Sequence, residues 1–193
     1  MFDLTTLSTL RGIAAVPAIR FDAVVELTGL DWREATETGE IPKTPGVYAW
    51  VDHAGLVIYH GSGMGSHGLR GRLGREMGWG ENQRRRIREY DSTDPDDGAW
   101  ILGESPVIRM IAEQRPQLWV AQAAPASWTI PDHPGLAMPA TAVGWEIFIY
   151  ACSLYVAGRR SLLGGGAWEA KKGSLGADME WTAWYRLRQV MGM

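Results

Sequence analysis

The hydrophobic and polar positions fall into two registers, one of helical period and one of alternating or continuous strand type. FDAVVELTGL at 21–30 repeats its apolar residues at helical spacing and predicts a helix that stops at Gly29. IPKTP at 41–45 follows as a proline-bounded linker that a helix cannot share. GVYAWV and LVIYHG come next, both rich in Val, Ile, Tyr and Trp, joined by DHAG with its Asp52 and Gly55. They predict a β-hairpin over 46–61. SGMGSHG at 62–68 reads as a flexible glycine-rich loop, and LRGRLGREM at 69–77 as a short helix weakened by Gly71 and Gly74. Residues 78–103 are polar and irregular at their ends, with a turn over 91–98 (DSTDPDDG). Ser105 as N-cap and Pro106 in the first turn open a helix over 105–114. QLWVAQ at 117–122 is a third strand. Residues 125–140 hold four of the ten prolines and predict a loop. TAVGWEIFIYACSLYVAGRR at 141–160 predicts a buried helix starting at Thr141 and broken by GGG at 164–166. DMEWTAWYRLRQV at 178–190 has the aromatic periodicity of a closing helix.

A local hairpin followed by helices that pack a small sheet is the α+β pattern. The expected architecture is a small, mainly antiparallel three-stranded sheet flanked by helices. An N-terminal extension (1–45) packs on a core (46–166), and a helical extension (167–193) follows. A chain of 193 residues favours one domain with room for a small terminal element. At 46% hydrophobic and 21% charged residues it can bury a core, and disorder is excluded. No apolar run reaches 18 residues, and the N-terminus lacks a basic n-region, so we expect no membrane partner, no signal peptide and a cytoplasmic location. The single Cys152 excludes an intrachain disulfide framework and any multi-thiolate metal site. His53, His60, His67 and His133 form no zinc-ligand spacing.

Two usages stand out. Ten tryptophans serve either an aromatic core or an exposed stacking or partner surface. The basic residues are 16 Arg against 3 Lys, which suits planar contacts to phosphate or carboxylate but follows equally from codon bias.

The hairpin is the informative segment. Gly46-Val47-Tyr48 lies on its first strand and Tyr59-His60-Gly61 on its second, with ten residues between the tyrosines. Arg72 follows Gly61 by eleven residues, within Leu69-Arg70-Gly71-Arg72-Leu73. This combination resembles the GIY-YIG nuclease family, from about Pro45 to Leu73 and more loosely to Gly166. The second tripeptide carries His60 at its centre, which is less usual. Three more residues than in the family separate the last glycine from the arginine context.

The resemblance implies a small α+β nuclease core with four catalytic residues: Tyr48 as base for the attacking water, Tyr59 lining the same site, Arg72 at the phosphate, and Glu146 as ligand of one divalent cation, Mg²⁺ or Mn²⁺. Phosphodiester hydrolysis needs a base, donors to the non-bridging oxygens and a cation near the leaving oxygen. A tyrosine ordinarily ionises near about pH 10, so a base of this kind requires a neighbouring positive charge. Glu146 is the only acid between Asp132 and Glu169 and sits in an apolar run. An unpaired carboxylate there costs several kcal/mol or takes up a proton. The alternatives for it are an arginine partner or the dipole at a helix start, and Glu113 and Glu76 are the other candidate ligands. The asparagine that often follows the glutamate helix in the family is missing; Asn82 is the only asparagine. Without the arginine, Tyr48 and Tyr59 read as a cross-strand aromatic pair. His60 and His67 are further possible site residues; His60 alternates away from Tyr59 and reads first as an outer-face or packing histidine.

Residues 69–89 hold seven arginines against three glutamates, a local charge of +4 beside the motif. Arg70, Arg75, Arg84, Arg85, Arg86 and Arg88 are thus candidate contacts to a phosphate backbone, or a solvated face of Arg–Glu pairs. Arg159, Arg160, Lys171 and Lys172 make a second possible strip. The functional expectation is a metal-dependent DNA endonuclease, with a homodimer possible. The rival is a GIY-YIG-like scaffold without nuclease activity, serving as a binding module or acting on a small molecule. An aromatic-rich interaction protein is the third reading.

Overall fold

A computed structural model describes residues 19–77, 115–157 and 173–192. Its elements are α1 (Phe21–Thr28), β1 (Arg33–Glu34), a single 3-10 turn (Thr38–Glu40), β2 (Gly46–Val51), β3 (Val57–Gly63), α2 (Gly68–Met77), β4 (Gln117–Gln122), α3 (Ala142–Ala157) and α4 (Gly173–Met191). The fold is α+β: a four-stranded sheet in the order β1-β4-β2-β3, every pairing antiparallel, flanked by helices. The expected sheet of three strands is therefore too small by one. β1 is only two residues long, and both side chains, Arg33 and Glu34, are exposed. A strand that short has no alternation to read, and its pairing with Val120 and Trp119 is set by the neighbouring strand.

The hairpin forms where the sequence placed it. Asp52 closes the turn through its side chain, whose Oδ1 accepts the backbone N–H of Ala54 at 2.9 Å and of Leu56 at 2.8 Å. Immediately after the turn the register shifts: Val51 opposes Val57, whereas Trp50 opposes Tyr59. Ile58 is the extra residue of this β-bulge. The bulge puts Ile58 and Tyr59 on one face of the sheet and returns Val57, His60 and Ser62 to the other.

That second face carries the larger core. Val47, Ala49, Val51 and Ala121 of the sheet pack with Trp145 and Phe148 of α3, Met179, Ala183 and Leu187 of α4, and Phe21, Val24 and Leu27 of α1. α3 begins where Thr141 predicts, with Thr141 Oγ1 accepting the Gly144 N–H at 3.1 Å. The first face is thinner. Tyr48, Trp50, Ile58, Leu118 and Val120 meet Leu69 and Leu73 of α2 and Ile41 of the linker. β3 runs through Gly63, so the expected loop at 62–68 is shortened to the residues between Gly63 and Gly68. Residues 125–140 contain no helix or strand, as expected. The helix expected at 105–114 and the turn at 91–98 lie outside the described residues. No described helix is long and apolar enough to cross a membrane.

Candidate active site

Tyr48 sits on the central strand β2, directly opposite Gly61 on β3. Its ring folds across that glycine: a Cβ on residue 61 would lie 2.6 Å from the phenol oxygen and 2.8 Å from Cζ. Only a glycine leaves room for the tyrosine in this pose. The ring is fully buried, and Tyr59, two pairs further along the hairpin, is half-buried on the same face with a ring-centroid separation of 6.0 Å. The two tyrosines are thus diagonal neighbours rather than a directly opposed pair, since Tyr59 opposes Trp50.

Arg72 comes from the second turn of α2. Its Nε donates to the Tyr48 hydroxyl oxygen at 3.4 Å, a long contact for an N–H donor. α2 is brought to the sheet by the linker. The N–H groups of Leu69 and Arg70 donate to the carbonyls of Thr44 and Pro42, at 3.1 and 2.9 Å. Arg70 adds two side-chain bonds, Nε to the Ile41 carbonyl at 2.8 Å and Nη2 to the Gly39 carbonyl at 2.7 Å. The Arg70 guanidinium therefore ties α2 to the 39–41 segment. His67 is exposed just ahead of the helix.

Glu146 lies elsewhere. It is in the second turn of α3, on the sheet face opposite Tyr48, and only 7% exposed. Its carboxylate accepts a short hydrogen bond from the Ser62 hydroxyl, and its backbone carbonyl lies 3.2 Å from His60 Nε2. A carbonyl can only accept, so the neutral imidazole carries its proton on Nε2 in this contact. His60 is a buried packing residue on the α3 face, 1% exposed, and burial pushes its imidazole down to about 4. The structure thus gathers Tyr48, Tyr59 and Arg72 on one face. Glu146 reaches the same edge strand from behind, at Ser62, the neighbour of the glycine that Tyr48 covers.

Ser62 was not among the expected site residues. It fell in the loop expected at 62–68, and only the extension of β3 to Gly63 puts positions 60 and 62 on one face of a strand. For a hard divalent cation the residues offer one carboxylate, held by the Ser62 hydroxyl, and one carboxylate with water is a way in which protein holds Mg²⁺. No group of three or more His, Cys, Asp or Glu residues gathers among the described residues. Arg84, Arg85, Arg86, Arg88, Arg159, Arg160, Lys171, Lys172 and Glu113 lie outside the described residues, as do the side chains of Arg75 and Glu76. Comparison of the chain with family models, curated proteins and solved structures gave no match.

Proposed function

We propose that this chain is a metal-dependent endonuclease of GIY-YIG type that hydrolyses phosphodiester bonds in DNA. The observation that carries the reading is the Tyr48 phenol laid over Gly61 with the Arg72 guanidinium beside its oxygen. To take a proton from water the buried Tyr48 phenol would need the Arg72 charge to offset the burial that disfavours its anion. In this reading Tyr48 accepts the proton of the attacking water. Arg72 donates to the non-bridging oxygens, where a guanidinium fork suits a phosphate better than an ammonium does. Tyr59 forms the adjoining wall. Glu146 would hold the Mg²⁺ or Mn²⁺ at the β3 edge, and the ion would supply positive charge to the substrate.

The test is nicking of supercoiled plasmid in Mg²⁺, with circular dichroism as the control for folding. Arg72→Ala is expected to lower the rate by about 10²–10³-fold, the usual cost of one donor to developing charge, while the fold persists. Glu146→Gln is expected to lose cation binding and cleavage together.

One observation favours the rival reading, a scaffold of this type turned to binding. Glu146 is buried behind β3 rather than on the Tyr48 face. A wild-type protein that binds no divalent cation and cuts neither DNA nor RNA would establish the scaffold reading in place of the nuclease.

A further inference from the structure

Two side chains of β3, His60 and Ser62, stand two residues apart on one face of the strand, and both engage Glu146. His60 bonds its backbone carbonyl and Ser62 its carboxylate. One fixes where the second turn of α3 sits against the strand; the other fixes where the carboxyl group points. A glutamate has three side-chain torsions, and a single carboxylate ligand is useful to a cation only if those torsions are settled before the ion arrives. Trp145 Nε1, in the same turn of α3, donates to the Ala124 carbonyl at 2.7 Å. The Ser62 hydroxyl is the donor the strand supplies.

We infer that Ser62 is a positioning residue: it orients the Glu146 carboxylate for a divalent cation, with His60 anchoring the helical turn that carries it. The inference rests on the nuclease reading for the role of Glu146. It also gives the unusual centre of Tyr59-His60-Gly61 a purpose. An aliphatic residue there would pack against α3 but could not hold the Glu146 carbonyl.

Hydrogen bonds to ligating groups typically contribute about ten- to a hundredfold in metal affinity. Ser62→Ala removes the hydroxyl from a half-buried position without enlarging the residue. Ser62→Thr keeps a hydroxyl. The experiment titrates Mn²⁺ and Mg²⁺ into wild type, Ser62→Ala, Ser62→Thr and Glu146→Gln by calorimetry, and measures plasmid nicking across the same cation concentrations. Ser62→Ala is expected to weaken cation binding at least about tenfold and to raise the half-saturating Mg²⁺ concentration in parallel, with the rate at saturating Mg²⁺ largely kept. Ser62→Thr should restore most of the affinity, which a change in packing alone would not do. Wild-type affinity in Ser62→Ala overturns the inference while leaving the nuclease reading intact, provided Glu146→Gln has lost its ion. A wild type that binds no cation overturns both. A binding loss in Ser62→Ala that Ser62→Thr does not rescue, with unchanged thermal stability, also overturns orientation by the hydroxyl.

Discussion

The two faces of the sheet are built for different work. On the α3 and α4 face, Trp145, Phe148, Met179 and Leu187 are essentially fully buried, and aromatic edges interlock: Trp145 meets Phe148 edge-on at 5.5 Å and Trp128 packs on both. Among its polar groups the Trp145 indole N–H meets the Ala124 carbonyl, and Ser62 and His60 meet Glu146, whereas the buried Trp119 Nε1 has no hydrogen-bond partner among the described residues. On the α2 face the layer is one short helix thick, half-open at Tyr59 and Arg72, and a glycine stands under a tyrosine. The thick face holds the sheet in shape; the thin face leaves Tyr59 and Arg72 partly open to solvent, with Tyr48 buried beneath them. Stability and chemistry should therefore separate by face, and Glu146, whose side chain joins the thick face to the edge strand, should belong to both.

The largest effect is expected on the thick face. Trp145→Ala removes a fully buried indole and its hydrogen bond to Ala124. It should cost about 3–5 kcal/mol in urea unfolding, and any catalytic loss should track the unfolded fraction. A variant that stays as stable as wild type would show that this face is not the structural one.

His60 sharpens the comparison through pH. Unfolded, its imidazole protonates near the ordinary 6.5; folded, burial outweighs the Glu146 carbonyl and holds it at about 4. The native state thus favours the neutral ring. The stability tied to His60 is complete above pH 6.5 and drains away as pH falls from there toward 4, on the order of 3 kcal/mol when integrated across that window. Carboxylates titrate near the lower end, so the measurement is the difference between wild type and His60→Gln in unfolding free energy between pH 7 and pH 4.5. Equal slopes in the two proteins would place the titration elsewhere.

The smallest effect concerns the thin face. Gly61→Ala sets a methyl carbon 2.6 Å from the Tyr48 oxygen, so the ring must swing away from Arg72. Overpacking of this kind costs about 1–3 kcal/mol. Nicking should fall by more than stability alone explains. In a Tyr48→Ala background the same substitution should become nearly neutral to stability, a coupling that a double-mutant cycle reads directly.

Much of this was legible from local pattern. The hairpin, β4, α1, the start of α3 at Thr141 and the closing helix α4 all carry periodicity, caps or turn residues that act within a few positions. The pairing of Tyr48 with Gly61 was not legible, because the bulge sets the register, and Arg72 was placed near Tyr48 only by the family resemblance. β1 was not legible, since two exposed residues encode nothing without β4 to pair with.

By itself the sequence determined the α+β class, the polar turn at Asp52, and the set of chemical groups on offer. Tertiary structure alone decided how those groups are shared between the faces. The bulge at Ile58 reverses the alternation that would otherwise have placed Tyr59 behind the sheet and His60 in front. The carbonyls of Gly39 in the 3-10 turn and Ile41 in the linker make Arg70 a tether for α2. Glu146, 84 residues from Ser62 in the chain, finds its hydroxyl partner only when α3 docks beneath the edge strand. The reason is one of range: turns, caps and periods are fixed by neighbours in sequence, whereas a buried carboxylate is satisfied by whichever donor the packed core brings to it.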